Sequence, residues 1–331
     1  MRDVGIQDIK SYIPKSKLTN ADLVKRLDVD EAFLRDKVGI SSRAIADGGE
    51  AASDLALHAA ERILSANPAL ERKDVDLLIV VTQNPDFKLP HTSAILQHKL
   101  GLGPIAAFDV NLGCSGFVYS LAIAKSMMNT LGFKNTVLIT VDPYSKIIAP
   151  DDKDTVTIFG DAATATWLNH QSSNRLLGFT FGSDGADYES LIVKGGGSRF
   201  PLQPGETGRP SSSENCNLYM DGRRIFNFML KKVPRDVLRC LQINQLHLAD
   251  IDHFIFHQAS KFMIENLARK MKIPMEKVVI FLEDIGNTVS SSIPIALENL
   301  MNSVDLSGKK VLISGFGVGL SWSSTVINFD G

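Results

Sequence analysis

Apolar residues along this chain fall into two alternating kinds of segment. Short β-prone runs occur at Leu77–Val81, Thr136–Val141, Phe254–Phe256, Val278–Leu282 and Val311–Ile313. Between them, Ala51–Leu64 and Gly116–Met128 repeat their apolar positions at the helical period. Nearly continuous apolar strands alternating with helices predict an α/β fold whose central sheets are covered on both faces.

The pattern also repeats. Asp74-Val-Asp76 and Asp250-Ile-Asp252 each precede a strand, Gly113-Cys114 and Gly286-Asn287 each stand at an expected helix start, and Val137-Leu-Ile-Thr140 matches Val311-Leu-Ile-Ser314. Each pair is offset by about 175 positions, which reads as a duplicated α/β half. The boundary falls in the polar string Asn169–Asn174, giving halves 1–172 and 173–331. Ser198 to Asn217, rich in proline and serine, reads as a surface loop, followed by a helix from about Gly222 that Pro234 should kink or divide.

Composition narrows the function classes. The 331 residues are 44% hydrophobic, enough for a sizeable core. Thirty-five basic and 37 acidic residues, mixed in sign along the chain, argue against a nucleic-acid binder. Cys114, Cys216 and Cys240 are too scattered for a disulfide framework or a CxxC metal site, which points to a reducing, cytoplasmic setting. The N-terminal MRDVGIQDIKSYIPKSK lacks the apolar core of a secretory signal, and no apolar stretch approaches the ~20 residues of a membrane span.

Three positions invite chemistry. Phe108-Asp-Val-Asn-Leu-Gly-Cys114-Ser-Gly-Phe117 reads as strand, tight turn and helix. A helix N-terminus beside Cys114 would lower its thiol pKa and suit a nucleophile; the same residue also reads as a small buried hydrophobe. His257 ends an apolar strand, where polar side chains emerge into a site, although such a histidine is also commonly structural. Asn287 stands where the repeat has Cys114 and alone would be a helix N-cap. His253 lies four residues before His257, but no third ligand accompanies them and no metal is expected.

Together, Cys114, His257-Gln-Ala and Gly286-Asn287-Thr, with Thr19-Asn-Ala-Asp22-Leu, Val38-Gly-Ile40, Ile158-Phe-Gly-Asp161 and Gly315-Phe-Gly-Val-Gly319, resemble the β-ketoacyl-ACP synthases of type III in the thiolase-like superfamily. The resemblance covers essentially the whole chain. It implies a thiolase-like fold of two α/β halves with mixed central sheets in an α-β-α-β-α arrangement, and a homodimer. It also implies a nucleophilic Cys114 that takes an acyl group from acyl-CoA or acyl-ACP, and decarboxylative condensation with malonyl-ACP assisted by His257 and Asn287. Backbone N–H groups of Cys114 and of the Gly315-Phe316-Gly317 loop would form an oxyanion hole. No cofactor is implied beyond the CoA or phosphopantetheine thioesters themselves. A thiolase would need a second cysteine near the C-terminal glycine loop, and the last cysteine is Cys240.

Several donor-contact positions depart from the family pattern. Phe33, Lys37 and Lys153 stand for a tryptophan and two arginines, and Ser260 for an asparagine, so the donor contacts differ. Lys261, Arg269 and Lys270 would attract an acidic carrier protein. Leu89 matches a position that reaches the partner subunit's acyl pocket, and Phe87, Leu202 and Phe226 are further lining candidates. Two other readings stand beside condensation: a starter-specific acyltransferase that releases no CO₂, and a non-catalytic partner in a heterodimer.

Overall fold

The computed structural model describes residues 3–201 and 216–330, so most of the proline-rich stretch and Leu202 lie outside the described residues. The first sheet comprises β1 Gly5–Tyr12, β2 Leu77–Val81, β3 Ala106–Val110, β4 Thr136–Val141 and β5 Ala163–Asn169, in spatial order β1-β5-β4-β2-β3. The second comprises β6 Asn174–Ser183, β7 His253–Phe256, β8 Lys310–Gly317 and β9 Ser321–Phe329, in order β6-β9-β8-β7. In each sheet the first two neighbouring pairs are antiparallel and the next is parallel. Below strand level the duplication persists: Asp76 and Asp252 each donate an N–H to the carbonyl of Asn135 or Lys310 and accept that residue's N–H on a carboxylate oxygen.

The strand expected at Val278–Leu282 does not form. The segment lies beside β7 through one parallel bridge, Phe254 to Val278. Further along, the Gln258 side chain takes the ladder's place, accepting from Phe281 N–H at 2.8 Å and donating to Phe256 O at 2.6 Å.

Six helices complete the layers: α1 Ala52–Ala66, α2 Thr92–Lys99, α3 Gly116–Leu131, α4 Gly222–Ile243, α5 Lys261–Met271 and α6 Ser292–Ser303. Phe117, Leu121 and Met128 of α3 and Ile293, Leu297 and Leu300 of α6 share one core cluster with residues of both sheets, so this pair forms the middle layer. α1 and α2 cover the outer face of the first sheet, while α4 and α5 cover that of the second. Pro234 does not divide α4, because buried Met229, Val233, Val237 and Leu241 anchor the helix on both sides of it. No helix among the described residues is long and apolar enough to cross a membrane.

The halves meet without room to spare beside the turn that precedes α6. Ser41 and Ser42 donate N–H bonds to Glu283 O and Ala44 to Ile285 O, while Gly160 and Asn287 exchange bonds with their opposing strand-like segments. A Cβ on Gly160 would lie 2.0 Å from Ile285 O. Gly160→Ala is therefore expected to destabilise the fold by about 3 kcal/mol through backbone overpacking. Urea denaturation checks this, and a variant with the wild-type midpoint would contradict the packing.

Candidate active site

Cys114 lies in the turn from β3 to α3. The helix begins at Gly116, where a Cβ would come within 2.4 Å of Val81 Cγ1, so glycine lets the helix start against β2. Cys114 thus precedes the helix instead of opening it. His257 directly follows β7, its N–H held by Ser314 O at 2.9 Å. Asn287 follows Gly286, whose φ of 79° lets the chain turn beneath Ile158 and Arg43. A 3₁₀ turn, Val289–Ser291, separates Asn287 from α6, so it is not the cap of that helix.

Cys114, His257 and Asn287 are all buried and line a single cavity of about 90 Å³. Burial pushes the Cys114 thiol up to about 12, the Asp142 carboxyl adding to the push, while the N–H groups of Val318 and of Cys114 itself pull the other way. Burial thus works against the lowering of the thiol pKa expected from the adjacent helix N-terminus. Burial also holds the His257 imidazole neutral, lowering its pKa to about 3. Asp142 shifts upward to about 7 for the same reason, although it accepts from the Gln83 N–H at 2.7 Å and from Ser290.

Ser292 Oγ lies 2.7 Å from His257 Nδ1 and also accepts from the Gln258 N–H at 3.4 Å. With the Ser292 hydroxyl proton donated to Nδ1, the imidazole proton stands on Nε2. Asn287 Oδ1 accepts from the Val289 N–H at 2.9 Å, which turns Nδ2 toward His257 Nε2, 3.4 Å away. Two donors stand side by side and converge on a space that needs an acceptor, such as a carbonyl on which negative charge develops.

The other residues singled out in the sequence divide around this cavity. Phe316, Gly317 and Ser260 line it, and Gly315 lies behind Cys114, where a Cβ would sit 2.6 Å from Cys114 O. A Cβ on Gly317 would come within 2.7 Å of the sulfur. Phe226 does not line the cavity: it stacks on Phe262 at 5.4 Å, and its neighbour Ile225 faces inward instead. Phe33 and Lys153 line a wider outer groove that shares Ile158, Met220 and Gly222 with the cavity. Lys37 is outside both, 5.8 Å above the Phe262 ring. Lys261 borders a neighbouring groove, Arg269 and Lys270 are exposed in the last turn of α5, and Leu89 is 86% exposed. Among the described residues no cluster of three His, Cys, Asp or Glu is placed to hold a metal.

Val318, inside the Gly315–Gly319 motif singled out in the sequence, donates its N–H to the Cys114 sulfur. Three other residues with a part in the site carried no sequence signal of it: Ser292 bonds the imidazole, Asp142 sits behind the cysteine, and Tyr144 forms a cavity wall with its hydroxyl on Gln83 Oε1 at 2.7 Å. Serine, aspartate and tyrosine at strand ends are too common to mark a site.

Comparison with known proteins agrees with this geometry. The family profile described as 3-oxoacyl-[acyl-carrier-protein] synthase III matches residues 108–185, and its C-terminal counterpart matches residues 241–329. A β-ketoacyl-[acyl-carrier-protein] synthase III of Caldanaerobacter subterraneus subsp. tengcongensis is 37% identical over 329 residues, 98% of each chain. One from Fusobacterium nucleatum is 33% identical over 99% of each. A crystal structure of a 3-oxoacyl-(acyl-carrier-protein) synthase III superposes with a TM-score of 0.93 at 39% identity, over 99% of this chain and 100% of that one.

The neutral imidazole is directly testable. His257 ¹⁵N resonances should show the Nε2–H tautomer unchanged from pH 8 to pH 5, because its pKa lies near 3 instead of 6.5. Since the unfolded chain takes up that proton at about 6.5 and the native state does not, this residue's contribution to stability falls as pH drops from 6.5 toward 3. An ordinary titration near 6.5 in the folded protein would overturn the assignment.

Proposed function

The chain belongs to the 3-oxoacyl-[acyl-carrier-protein] synthase III family and is a condensing enzyme, and from that premise we propose how its own residues divide the reaction. Cys114 attacks the carbonyl of an acyl thioester; the new S–acyl bond replaces the old one, and the thiol proton ends on the departing pantetheine sulfur. Malonyl-ACP then enters. Its C–CO₂⁻ bond breaks, CO₂ leaves, and the electron pair becomes an enolate whose oxygen is held by His257 Nε2–H and Asn287 Nδ2–H. The enolate carbon attacks the acyl group and expels the Cys114 thiolate, which takes up from solvent the one proton that the overall reaction consumes. The observation that carries this reading is the convergence of one thiol and two oriented neutral donors on one cavity.

Neutrality at rest fits the sequence of steps. A protonated imidazole would pair with the incoming malonyl carboxylate and hold it, whereas a neutral donor pair strengthens its grip only as the enolate forms. The apolar walls Tyr144, Phe159, Leu191, Ile225 and Met263 suit a short acyl group beside the sulfur. This scheme asks for no resident cofactor.

Surface charge supports a carrier protein as partner. Ser260, on the cavity wall, caps α5, so Lys261, Arg269 and Lys270 extend from the mouth along one helix, and none of the three pairs with a carboxylate among the described residues. The outer groove is different. Asp28, Asp30, Asp154 and Asp221 face only Lys153 and Arg223 there, and Lys153 Nζ is already committed to Asp28 O at 2.6 Å. That balance favours a donor with a single phosphodiester over the multiply charged nucleotide of CoA.

An unpaired edge strand supports a homodimer. β3 pairs only with β2 in the described chain, and its half-buried Ala106, Phe108 and Val110 continue into Ile123, Met127, Phe179 and Phe281. A second copy covers such an edge and face. Sedimentation should give twice the chain mass, and a fully active monomer would overturn this assembly.

Intact-protein mass spectrometry tests the chemistry. Cys114→Ala should take no acyl adduct from any donor, while wild type should label faster from acyl-ACP than from acyl-CoA at low salt. Asn287→Ala and His257→Ala should keep acylation and lose condensation by about 10²-fold. Condensation by Cys114→Ala would sink the nucleophile assignment. CO₂ release from malonyl-ACP distinguishes condensation from acyl transfer to a hydroxyl or amine, and any adduct on Cys114 counts against a non-catalytic scaffold.

A further inference from the structure

Among the described residues Arg43 is the largest fully buried side chain, at 0% exposure, and no carboxylate pairs with it there. A buried charge without a counter-ion is costly, so its hydrogen bonds must account for its presence. The guanidinium donates from Nε to Thr157 O at 2.8 Å, from Nη2 to the same carbonyl, and from Nη1 to Asn20 Oδ1. Asn20 is itself fixed, its Nδ2 donating to Ile40 O at 2.9 Å.

What the arginine grips is the start of the segment that holds Asn287. Thr157 leads directly into Ile158, whose carbonyl accepts the Asn287 N–H at 2.9 Å, and into Gly160, whose N–H donates to Asn287 O at 3.0 Å. Phe159 and Asn287 form an isolated parallel bridge, with no longer ladder to fix its register. On the other side, the arginine stem supports the turn: a Cβ on Gly286 would lie 3.1 Å from Arg43 Cγ. The residue after Arg43 closes the loop, since Ala44 donates to Ile285 O at 3.1 Å and accepts from the Asp161 N–H at 2.7 Å.

We propose that Arg43 is a positioning residue for Asn287, setting the register of the Phe159–Asn287 bridge and thereby the aim of the Asn287 amide. The proposal rests on the division of labour given above, in which Asn287 serves condensation and not acylation. Only a planar fork reaches both acceptors in one rigid geometry; an ammonium group binds one of them and leaves the segment free to shift. Because the effect passes through Asn287, the two half-reactions should respond differently.

The test uses the full chain. Arg43→Lys should acylate Cys114 within about threefold of wild type while its condensation rate falls roughly 10- to 100-fold. In an Asn287→Ala background, Arg43→Lys should cost less than about twofold more, because the group it aims is gone. Equal loss in both half-reactions, a full additional penalty in the Asn287→Ala background, or a folded variant that condenses like wild type would each overturn the proposal. If Arg43→Lys does not fold, Asn20→Ala decides by the same ratio, since it removes one acceptor and leaves the arginine in place. A wild type that is acylated but releases no CO₂ refutes the condensing reading, whereas a competent wild type with a uniformly impaired variant refutes the Arg43 assignment alone.

Discussion

The structure depends on burying three polar reactive groups at the seam between two duplicated halves. Each half offers the end of a strand or a turn before a central helix, and residues of both line the cavity. The seam closes because backbone groups cross it in pairs: Asn287 with Ile158 and Gly160, Ala44 with Ile285 and Asp161, Ser41 and Ser42 with Glu283. Those bonds satisfy main-chain groups that would otherwise be buried unpaired. They also leave no slack, since Gly160 and Gly286 are in backbone contact with the opposite segment. Geometry at the reacting atoms is therefore inherited from the junction.

The same burial sets the electrostatics. Burial pushes the Cys114 thiol up and the His257 imidazole down, which disfavours charge on either group at rest. A charged pair formed in advance would bear the cost of desolvation throughout the cycle. Here charge arises only when substrate bonds break, and the donors are already aimed by Ser292 and by the Val289 N–H. Burial likewise raises the Asp142 carboxyl close behind the cysteine, to about 7, while the Gln83 N–H and Ser290 favour its charged form.

Some of this was legible in the amino-acid order. β2 and β4 have the bounds of their apolar runs because both faces of these strands are covered, which leaves a continuous signal. Val278–Leu282 has the same apolar character yet makes one bridge, because the replacement of its ladder by the Gln258 side chain is decided in three dimensions. On α4, Ile225 and Phe226 are consecutive and both fall within its broad apolar stripe, and hydrophobic period alone does not say which faces the cavity. The thiol's upward shift comes from enclosure by residues distant in sequence, whereas the adjacent helix start was visible locally. Arg43 and Ser292 gave no signal because their importance lies in which carbonyl or ring nitrogen they meet.

Duplication explains why the work is shared as it is. At the offset of the repeat, Thr82-Gln83 after β2 corresponds to His257-Gln258 after β7, and the cysteine turn before α3 corresponds to the asparagine turn before α6. The two glutamines have diverged in use. Gln83 stays beside the nucleophile, accepting from Tyr144 and filling the space that a Gly113 side chain would occupy, while Gln258 bridges the end of β7 to the segment that did not become a strand. With that segment held by a side chain, the second half keeps the turn after β7 in place without a fifth strand. The first half instead completes its sheet with β3, from whose end the chain turns to Cys114. Equivalent strand-end turns thus carry His257 in one half and Thr82 in the other, each followed by a supporting glutamine, and the pseudo-symmetric seam brings Cys114, His257 and Asn287 to the same cavity.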